Sequence, residues 1–472
     1  MTKETELKLR LSPDLVPVLA ASLNAAARPL SHSTLKNWYL DTPEAGLSAA
    51  RAALRIRQKA DGYEQTLKTR GQSLAGLQLR GEWNWPLTEP VLNPLLLQSS
   101  EVAAAWPAGL DISRLGEVFT THFERQAWLW QAHGGSAEVV IDRGEVRAGS
   151  QKLPLCEVEL ELKDGDAVCL WHMALELSNQ VPLWLSDISK AERGYRLAKL
   201  SRPWHAEPVL DGASDVSAAL PELLHYEFLH LKRALEACLW EGDVAAILRA
   251  RAHWQALRAL PQLAGKAIKR TQTKALRAAL DLWEKPLLHL SQLAQLTQYL
   301  RAADDQDAVA GELQALGLRW NEALADVRSD AQLAAATLQA AFALYALDSL
   351  KPAGESVEHW LRHLLKEHGP LLTELKSRRP QDEERWRGLT HEVALLRQCV
   401  DYARAVPGVS RGLGIAGSGI GDGALRVLSE MMGGQSLLQR PSPLAEAEAP
   451  LRPLSEYTEW ALEHLKHLAA QL

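Results

Sequence analysis

Cysteine is scarce in this sequence, and long apolar runs are missing. The 4 cysteines among 472 residues form no C-x-x-C pair, which is typical of a reducing compartment where thiols act as small buried hydrophobes. The best apolar stretch, residues 334–347, is too short to span a bilayer and includes Gln339. The charged residues 1–6 lead to no apolar segment of the kind found in signal peptides. We therefore expect a cytoplasmic protein with no membrane-spanning helix.

A strong excess of either charge is also lacking, since 52 Lys and Arg residues stand against 58 Asp and Glu residues. The formal net charge of −6 gives no general reason to expect a nucleic acid or a membrane as a partner. A hydrophobic content of 47% and a charged content of 23% are values of folded globular proteins. Because 472 residues exceed one ordinary hydrophobic core, we expect two or three domains.

The first 200 or so residues have the pattern of short strands separated by turns. Turn signals such as Asp61-Gly62 and Gly134-Gly135 interrupt the runs. Helical periodicity is confined mainly to residues 12–27, where Ser12 and Pro13 mark a start, and to a segment from Asp166 towards Ser178. The predicted strands are Glu4–Leu11, Thr34–Leu40, Ala53–Lys59, Glu64–Thr69, Gln78–Leu87, Phe119–Gln131, Glu138–Val146 and Leu155–Leu162.

The pattern changes at about residue 221 to long stretches rich in Leu and Ala with 3.6-residue periodicity. These stretches predict helices over residues 221–241, 243–260, 266–284, 287–301, 308–328, 330–348, 355–376, 381–405 and 422–433. The preceding residues 203–219 contain Pro203, Pro208 and Gly212 and are typical of a linker. The sequence therefore predicts an α+β domain followed by an all-α domain.

Charge alternates along the predicted strands in an unusual way. The segment 156–163 places three carboxylates on one face, whereas the charged face of residues 54–59 is entirely basic. One interpretation is a solvated sheet face, but like charges side by side repel each other. Clustered carboxylates bind divalent cations and clustered Arg and Lys bind polyanions, so a metal-bridged polyphosphate satisfies both. If the strands close into an antiparallel barrel with these faces inward, the result is a polar tunnel.

A resemblance to a known family rests on an ordered set of such residues. Glu4-x-Glu6-x-Lys8 is similar to the E-x-E-x-K signature of the CYTH, or triphosphate tunnel metalloenzyme, superfamily. The set continues in the family's order with Arg55-Ile56-Arg57, Lys68, Glu82, Arg125, Asp142, Glu157/Glu159/Glu161 and Ser189–Tyr195. The superfamily includes inorganic triphosphatases, thiamine triphosphatases and class IV adenylyl cyclases. The resemblance implies a β-barrel tunnel with flanking helices.

The helical half resembles a CHAD domain, a helical bundle with basic surfaces that is often associated with polyphosphate. Its segment 247–260 has Arg249, Arg251 and Arg258 but, unlike most CHAD domains, few histidines. The order of the two domains resembles the bacterial CYTH–CHAD inorganic triphosphatases. The resemblance implies a CYTH domain at 1–202, a linker at 203–219 and a CHAD-like helical domain at 220–472.

Site residues follow from the resemblance, residue by residue. It implies a catalytic set of Glu4, Glu6, Lys8, Glu159, Glu161 and Lys190. It implies substrate contacts from Lys8, Arg55, Arg57, Lys68, Glu82, Arg125, Lys190 and Arg193. It implies Mg²⁺ or Mn²⁺ ligands among Glu4, Glu6, Asp142, Glu157, Glu159 and Glu161, an all-oxygen set. Register favours Glu159 and Glu161 over Glu157, which points the same way.

A second basic feature lies in the helical half, where residues 244–280 contain no Asp or Glu. Helical spacing predicts that Lys266, Arg270, Lys274 and Arg277 share one face. The alternatives are a solvated face, a protein contact or an anion-binding surface. For the last, the candidate ligand is long-chain polyphosphate and the candidate residues are Arg249, Arg258, Lys266, Arg270, Lys274 and Arg277.

The expected activity is metal-dependent hydrolysis of inorganic triphosphate to diphosphate and phosphate. Thiamine triphosphatase and adenylyl cyclase activities need an additional aromatic or base-specific site at the tunnel mouth, for which Trp38, Trp83 and Trp85 are available. A polyphosphate-binding protein without catalysis is the alternative from another class. Clustered carboxylates argue against that alternative, because anion binding alone has no use for them.

Overall fold

The computed structural model describes residues 2–412 except residues 70, 104, 202–207, 209, 302–305, 348, 349 and 372–382. The chain divides into two compact units, Met1–His205 and Ala206–Leu472. Within the described ranges, no helix is both long and apolar enough to cross a membrane.

The first unit is an antiparallel β-barrel. Eight of its strands close into a ring in the order β1-β9-β8-β7-β2-β3-β4-β6, and β6 pairs again with β1. The two remaining strands, β5 and β10, extend the sheet beside β6 and β1. The strands are β1 Thr2–Arg10, β2 Arg28–Asp41, β3 Ala53–Lys59, β4 Gly62–Lys68, β5 Gln72–Leu74, β6 Leu77–Leu87, β7 Gly116–Ala132, β8 Gly135–Ala148, β9 Gln151–Asp164 and β10 Trp184–Leu185.

All eight predicted strands are present, so the predicted barrel is confirmed. The sequence missed β5 and β10, which have 3 and 2 residues and are too short to show alternation. The alternation itself explains the barrel's surfaces. Leu7 and Leu9 point outward and are buried, together with Leu19 and Leu23 of the flanking helix 16–26, while the charged partners on the same strands point inward.

Short helices flank the barrel. They are α1 Val16–Ala26, α2 Gly46–Ala49, α3 Pro94–Leu97, α4 Ser100–Ala103, α5 Val168–Ser178 and α6 Lys190–Leu197, with 3-10 turns at Pro13–Leu15 and Ile112–Arg114. The predicted helix 12–27 therefore begins with a 3-10 turn, and the Ser12 side chain makes no capping hydrogen bond. An apolar layer that includes Tyr39, Phe119 and Val146 lies where α6 packs against the barrel through Tyr195.

The second unit is helical, in agreement with the predicted all-α region. Its described helices are α7 Val216–Glu241, α8 Ala246–Leu263, α9 Lys274–Asp281, α10 Glu284–Arg301, α11 Gln306–Ser329, α12 Ala331–Tyr345, α13 Val357–His368, α14 Glu383–Arg404 and α15 Pro407–Gly412, with a 3-10 turn at Gly265–Ala267. Helix α7 begins inside the predicted linker 203–219. The predicted helix 422–433 lies outside the described residues.

The predicted continuous helix over residues 266–284 is wrong. Lys266 lies in the 3-10 turn, Arg270 lies in a non-helical turn, and α9 begins only at Lys274. Gly265 has a left-handed backbone conformation, φ +52°, just after the end of α8, and the extended Ile268 separates the 3-10 turn from α9. The four basic positions therefore do not share one helical face.

Candidate active site

The inner wall of the barrel carries the predicted site residues. Cross-strand partners in an antiparallel pair point to the same face of a sheet. Lys8 pairs with Glu159, Asp142 pairs with both Arg125 and Glu157, and the same register continues around the ring. The inward face thereby includes Glu4, Glu6, Lys8, Asn37, Tyr39, Arg55, Arg57, Lys68, Glu82, Arg125, Asp142, Glu157, Glu159 and Glu161.

Ring closure places the acidic strand opposite the basic strand. In the eight-strand ring, β9 and β3 are separated by four steps in either direction. The carboxylates of β9 therefore face Arg55 and Arg57 of β3 across the lumen. This arrangement separates the two like-charged faces that the sequence predicts.

The buried carboxylate cluster consists of Asp142, Glu157 and Glu159. One oxygen from each lies within 4.8 Å of the others. Asp142 and Glu157 are fully buried, and Glu159 is 15% exposed. Three such carboxylates in a buried space repel each other unless cations neutralise them.

Four cations lie at salt-bridge distance of this cluster, namely Lys8, Arg125, Lys190 and, at 3.7 Å, Arg193. Lys190 Nζ lies 2.6 Å from Asp142 Oδ2 and 3.1 Å from Glu159 Oε1. Lys8 Nζ donates to Glu159 and lies 3.2 Å from Glu157 Oε1. Arg125 forms two parallel hydrogen bonds of 2.7 Å to Asp142, a forked geometry that fixes the guanidinium plane.

These contacts determine the protonation states. Burial raises the pKa of Glu159, but the charges of Lys190 and Lys8 outweigh it and hold that pKa well below its usual range. Burial lowers the pKa of Lys190, but Asp142 and Glu157 outweigh it and raise the value. Glu159 and Lys190 therefore both remain charged at neutral pH.

The opposite wall has an excess of positive charge. Arg57 is 9% exposed, and its Nε donates to Asn37 Oδ1 at 2.8 Å. Within the described ranges, Arg57 has no carboxylate at salt-bridge distance, whereas Arg55 lies 3.9 Å from Glu82. Burial and the neighbouring charges of Arg55 and Arg125 lower the pKa of Arg57 to about 9. A bound anion would stabilise this buried guanidinium, for which the described residues place no carboxylate at salt-bridge distance.

A third group surrounds Lys68. Its ammonium lies 2.6 Å from Glu4 Oε2 and 3.3 Å from Glu82 Oε2, so two carboxylates share one cation. Burial raises the pKa of Glu4 to about 7, aided by Glu6 and Glu82 and opposed by Lys68. Burial also raises the pKa of Glu82, but Lys68 and Arg55 outweigh it and lower the value to about 2.

Of the other predicted site residues, Glu161 lies apart from these groups, whereas Arg193 touches one of them from helix α6. Glu161 is 36% exposed and lies 2.8 Å from Lys163, away from the buried carboxylate cluster. Arg193 is buried in α6 and contacts Glu157 Oε2 at 3.7 Å, behind the cluster. Glu157 and Glu159, rather than Glu159 and Glu161, are the pair that the fold brings beside Asp142.

Sequence reasoning missed Asn37, which orients Arg57 from the neighbouring strand. Asn37 is fully buried, and its Nδ2 donates to Thr121 Oγ1 at 2.9 Å. The available signal was its position on β2 between the outward-facing residues Lys36 and Trp38, but a single polar residue in a strand does not reveal its partner.

The buried carboxylate cluster fits a divalent cation. Glu157 Oε2 is buried and accepts no hydrogen bond, although the Arg193 guanidinium lies 3.7 Å away, so this oxygen has coordination capacity left for a cation. An all-oxygen set of this kind matches Mg²⁺ or Mn²⁺. Asp142, Glu157 and Glu159 are the residues that would hold the ion.

The three tryptophans considered for a base-binding site point away from the tunnel. Trp38 and Trp85 alternate with the inward-facing positions of their strands and pack against an outer apolar cluster that contains Trp83. Trp83 is 6% exposed. None of the three therefore lines the tunnel.

Comparison with known proteins agrees with the residue pattern. Residues 2–195 match the family model described as CYTH domain, which identifies this part of the chain as a CYTH domain. An inorganic triphosphatase from Haemophilus influenzae is 35% identical over 200 residues, covering 42% of this chain and 55% of that protein. The chain thus matches about half the length of this relative.

Solved structures with detectable similarity match a comparable share of the chain. HpAC1 from Hippeastrum, described as having a dominant triphosphatase activity, is 23% identical, with a TM-score of 0.32, over 42% of this chain and 100% of that chain. PH1012 protein from Pyrococcus horikoshii is 12% identical, with a TM-score of 0.25, over 42% of this chain and 99% of that chain.

Proposed function

We infer that the CYTH domain at residues 2–195 hydrolyses inorganic triphosphate to diphosphate and phosphate inside the barrel. The observation that carries this inference is the pairing of opposite walls. Arg55 and Arg57 form a buried cationic wall, and Arg57 has no carboxylate partner in the described ranges. A carboxylate cluster lies across the lumen. A linear polyanion between the two walls would neutralise the first and could also accept contacts from Lys8 and Lys190, which pair with the cluster of the second.

Each wall has a distinct role. Arg55, Arg57 and Arg125 bind phosphate oxygens with planar forked donors, and Lys8 and Lys190 bind them as compact charges. The leaving diphosphate is stabilised by the cationic wall, so no covalent nucleophile is required. Asp142, Glu157 and Glu159 would hold a divalent ion, which would supply positive charge and lower the pKa of a bound water. Burial of these groups excludes bulk water and strengthens every such contact.

The proposed preference for inorganic triphosphate over thiamine triphosphate and ATP rests on where the aromatic residues lie. Thiamine and adenine are recognised by stacking on aromatic rings, but Trp38, Trp83 and Trp85 lie in the outer cluster. Tyr39 and Phe119 point inward but are buried in the apolar layer with Tyr195. The described inner wall therefore offers charge rather than a stacking platform, which favours a triphosphate without an organic group.

The test compares substrates and matched variants. We expect phosphate release from triphosphate to exceed that from thiamine triphosphate and ATP, and to require Mg²⁺ or Mn²⁺. Glu159→Gln should lower kcat by at least about a hundredfold, because it unbalances three cations at the reacting centre. Glu145→Gln is the control, since Glu145 lies on the outer face of β8 and pairs with Lys152. Equal rates in both variants, or no triphosphate hydrolysis by the natural protein, contradict the assignment.

For the helical unit, we propose separately that exposed basic residues bind long-chain polyphosphate. Lys266, Arg270 and Lys274 are exposed, whereas Arg249 and Arg258 already contact acidic side chains. We expect any binding of long-chain polyphosphate to fade steeply with salt, because counterion release governs such contacts. Titration of the triple variant Lys266→Ala/Arg270→Ala/Lys274→Ala against the natural chain at two salt concentrations checks this.

A further inference from the structure

Helix α6 enters the site at one end and is fixed to the barrel at the other. At its start, Ser189 Oγ accepts the backbone N–H of Glu192 at 3.1 Å, and the next side chain, Lys190, reaches the buried carboxylate cluster. Near its end, the Tyr195 hydroxyl donates to Asp41 Oδ2 at 2.8 Å. Lys190 and Tyr195 thus belong to one helix of eight residues, which Ser189 caps.

Asp41 is itself immobilised independently of α6. It is 1% exposed, and its Oδ1 accepts the backbone N–H groups of Thr42 at 2.7 Å and Leu47 at 2.8 Å. Its Oδ2 accepts the N–H of Ser48 at 3.0 Å as well as the hydroxyl of Tyr195. Asp41 therefore provides a fixed point at the end of β2.

Helix α6 packs tightly against the barrel residues beneath it. The Tyr195 ring meets Phe119 edge-on with ring centroids 5.1 Å apart, and Phe119 stacks on Tyr39 at 4.5 Å. A Cβ added to Gly194 would lie 2.1 Å from the Phe119 ring, so the helix backbone rests directly on that ring. Burial and the Asp41 carboxylate raise the pKa of Tyr195, which keeps the hydroxyl a donor.

We propose that Tyr195 is a positioning residue, which through its hydrogen bond to Asp41 sets how far Lys190 reaches into the buried carboxylate cluster. The proposal rests on the proposed function. Lys190 and Tyr195 are five residues apart, about 7.5 Å along a helix axis, so a displacement at one is transmitted to the other. A misplacement of a catalytic group by about 1 Å can lower the rate by about a hundredfold.

The test is a double-mutant cycle on kcat and KM for triphosphate. We expect Tyr195→Phe to lower kcat at least tenfold with a smaller change in KM, because the ring stays and only the hydroxyl is lost. In the Lys190→Ala background, the same change should alter kcat less than twofold, since the group that it positions is absent. Tyr63→Phe is the matched control, because Tyr63 packs with the outer apolar cluster.

A second readout separates this proposal from the proposed function. The same four proteins are titrated calorimetrically with a non-hydrolysable imido analogue of triphosphate, which needs no turnover. Independent, additive losses in the cycle overturn the positioning role, and so does a Tyr195→Phe protein too unstable to assay. Absence of triphosphate hydrolysis in the natural protein contradicts the proposed function instead, whatever the binding cycle gives.

Discussion

At the scale of single residues, the barrel places Glu4 where its charge is unfavourable. Lys68 is shared between Glu4 and Glu82, and burial acts on both carboxylates. The two carboxylates are not stabilised equally by the Lys68 ammonium that they share. The pKa of Glu4 is raised to about 7, while the pKa of Glu82 is lowered to about 2. Within this pair, Glu4 is the group that exchanges protons near neutrality.

This predicts a pH-dependent stability. The folded chain retains the Glu4 proton up to about pH 7, whereas the unfolded chain loses it near pH 4.5. The folded state therefore binds more protons in this window, and the contribution of Glu4 to stability falls as pH rises from 4.5 to 7. In metal-free buffer, Glu4→Gln should gain stability over the natural chain by up to roughly 3 kcal/mol across the window. Melting curves at several pH values measure this.

The control for Glu4 is Glu44→Gln, which removes an exposed surface carboxylate paired with Arg114. Its melting temperature should run parallel to that of the natural chain throughout the same pH range. Parallel profiles for Glu4→Gln as well would show that Glu4 is not proton-bound in the folded barrel.

Arg57 is a buried cation whose charge, like that of Glu4, is unfavourable in the folded barrel. Burial, Arg55 and Arg125 lower its pKa to about 9, so keeping it charged at neutral pH opposes folding. Arg57→Met should not lower the free energy of unfolding, even though it removes the hydrogen bond to Asn37, worth about 1 kcal/mol. It should lower kcat/KM for triphosphate by about a hundredfold, or roughly 3 kcal/mol. Denaturant unfolding and steady-state kinetics measure the two effects.

For comparison, Arg147→Met removes a guanidinium that is 45% exposed on β8 and should change neither quantity. A proportional loss of stability and activity in Arg57→Met would assign Arg57 to the fold rather than to substrate binding. A conflict between stability and function is common at sites that bind charged ligands.

At the scale of elements, the closeness of β7 and β8 depends on one glycine. Gly144 lies opposite Phe123, and a Cβ at Gly144 would lie 2.1 Å from the His122 carbonyl oxygen and 2.5 Å from Phe123 Cα. Backbone atoms cannot move aside as a flexible side chain can. These two strands carry Arg125 and Asp142, so their spacing also sets the geometry of the site.

Gly144→Ala should therefore destabilise the barrel by about 2 kcal/mol or more and speed hydrogen exchange in β7 and β8. Gly116→Ala is the matched control, because Gly116 begins β7 with no atom within 4 Å of an added Cβ. Mass-spectrometric exchange on both variants measures the difference. Equal protection in the two proteins would mean that the strands tolerate the added methyl group.

At the scale of the whole molecule, the first unit contains all the groups proposed for chemistry. The ring closes between β1 and β6 and between β1 and β9, and α6 ends at Leu197, all within Met1–His205. A fragment of residues 1–205 should therefore fold and retain at least about half of the full-length kcat, since no proposed catalytic group is removed. The fragment 206–472 should be inactive. Phosphate release by the two purified fragments measures this, and hydrolysis by the second fragment would move the chemistry to the helical unit.

The sequence by itself determined the elements and the chemistry of their faces. Alternation along Glu4–Leu11, Ala53–Lys59 and Leu155–Leu162 predicted strands with charged faces, because side chains of a strand point to opposite sides with period 2. Helical periodicity likewise predicted the second unit. It failed at residues 266–273, where local backbone turns interrupt a basic stretch that retains helical spacing.

Only the tertiary structure decided which charged residues meet. Barrel closure places β3 opposite β9, and the register of the β8–β9 hairpin brings Asp142 beside Glu157. Closure likewise turns Trp38 outward and pairs Tyr195 with Asp41, residues that are 154 positions apart. Local periodicity depends on neighbours along the chain, whereas contacts across a barrel depend on strand order and register, which are fixed by the packing of the entire ring.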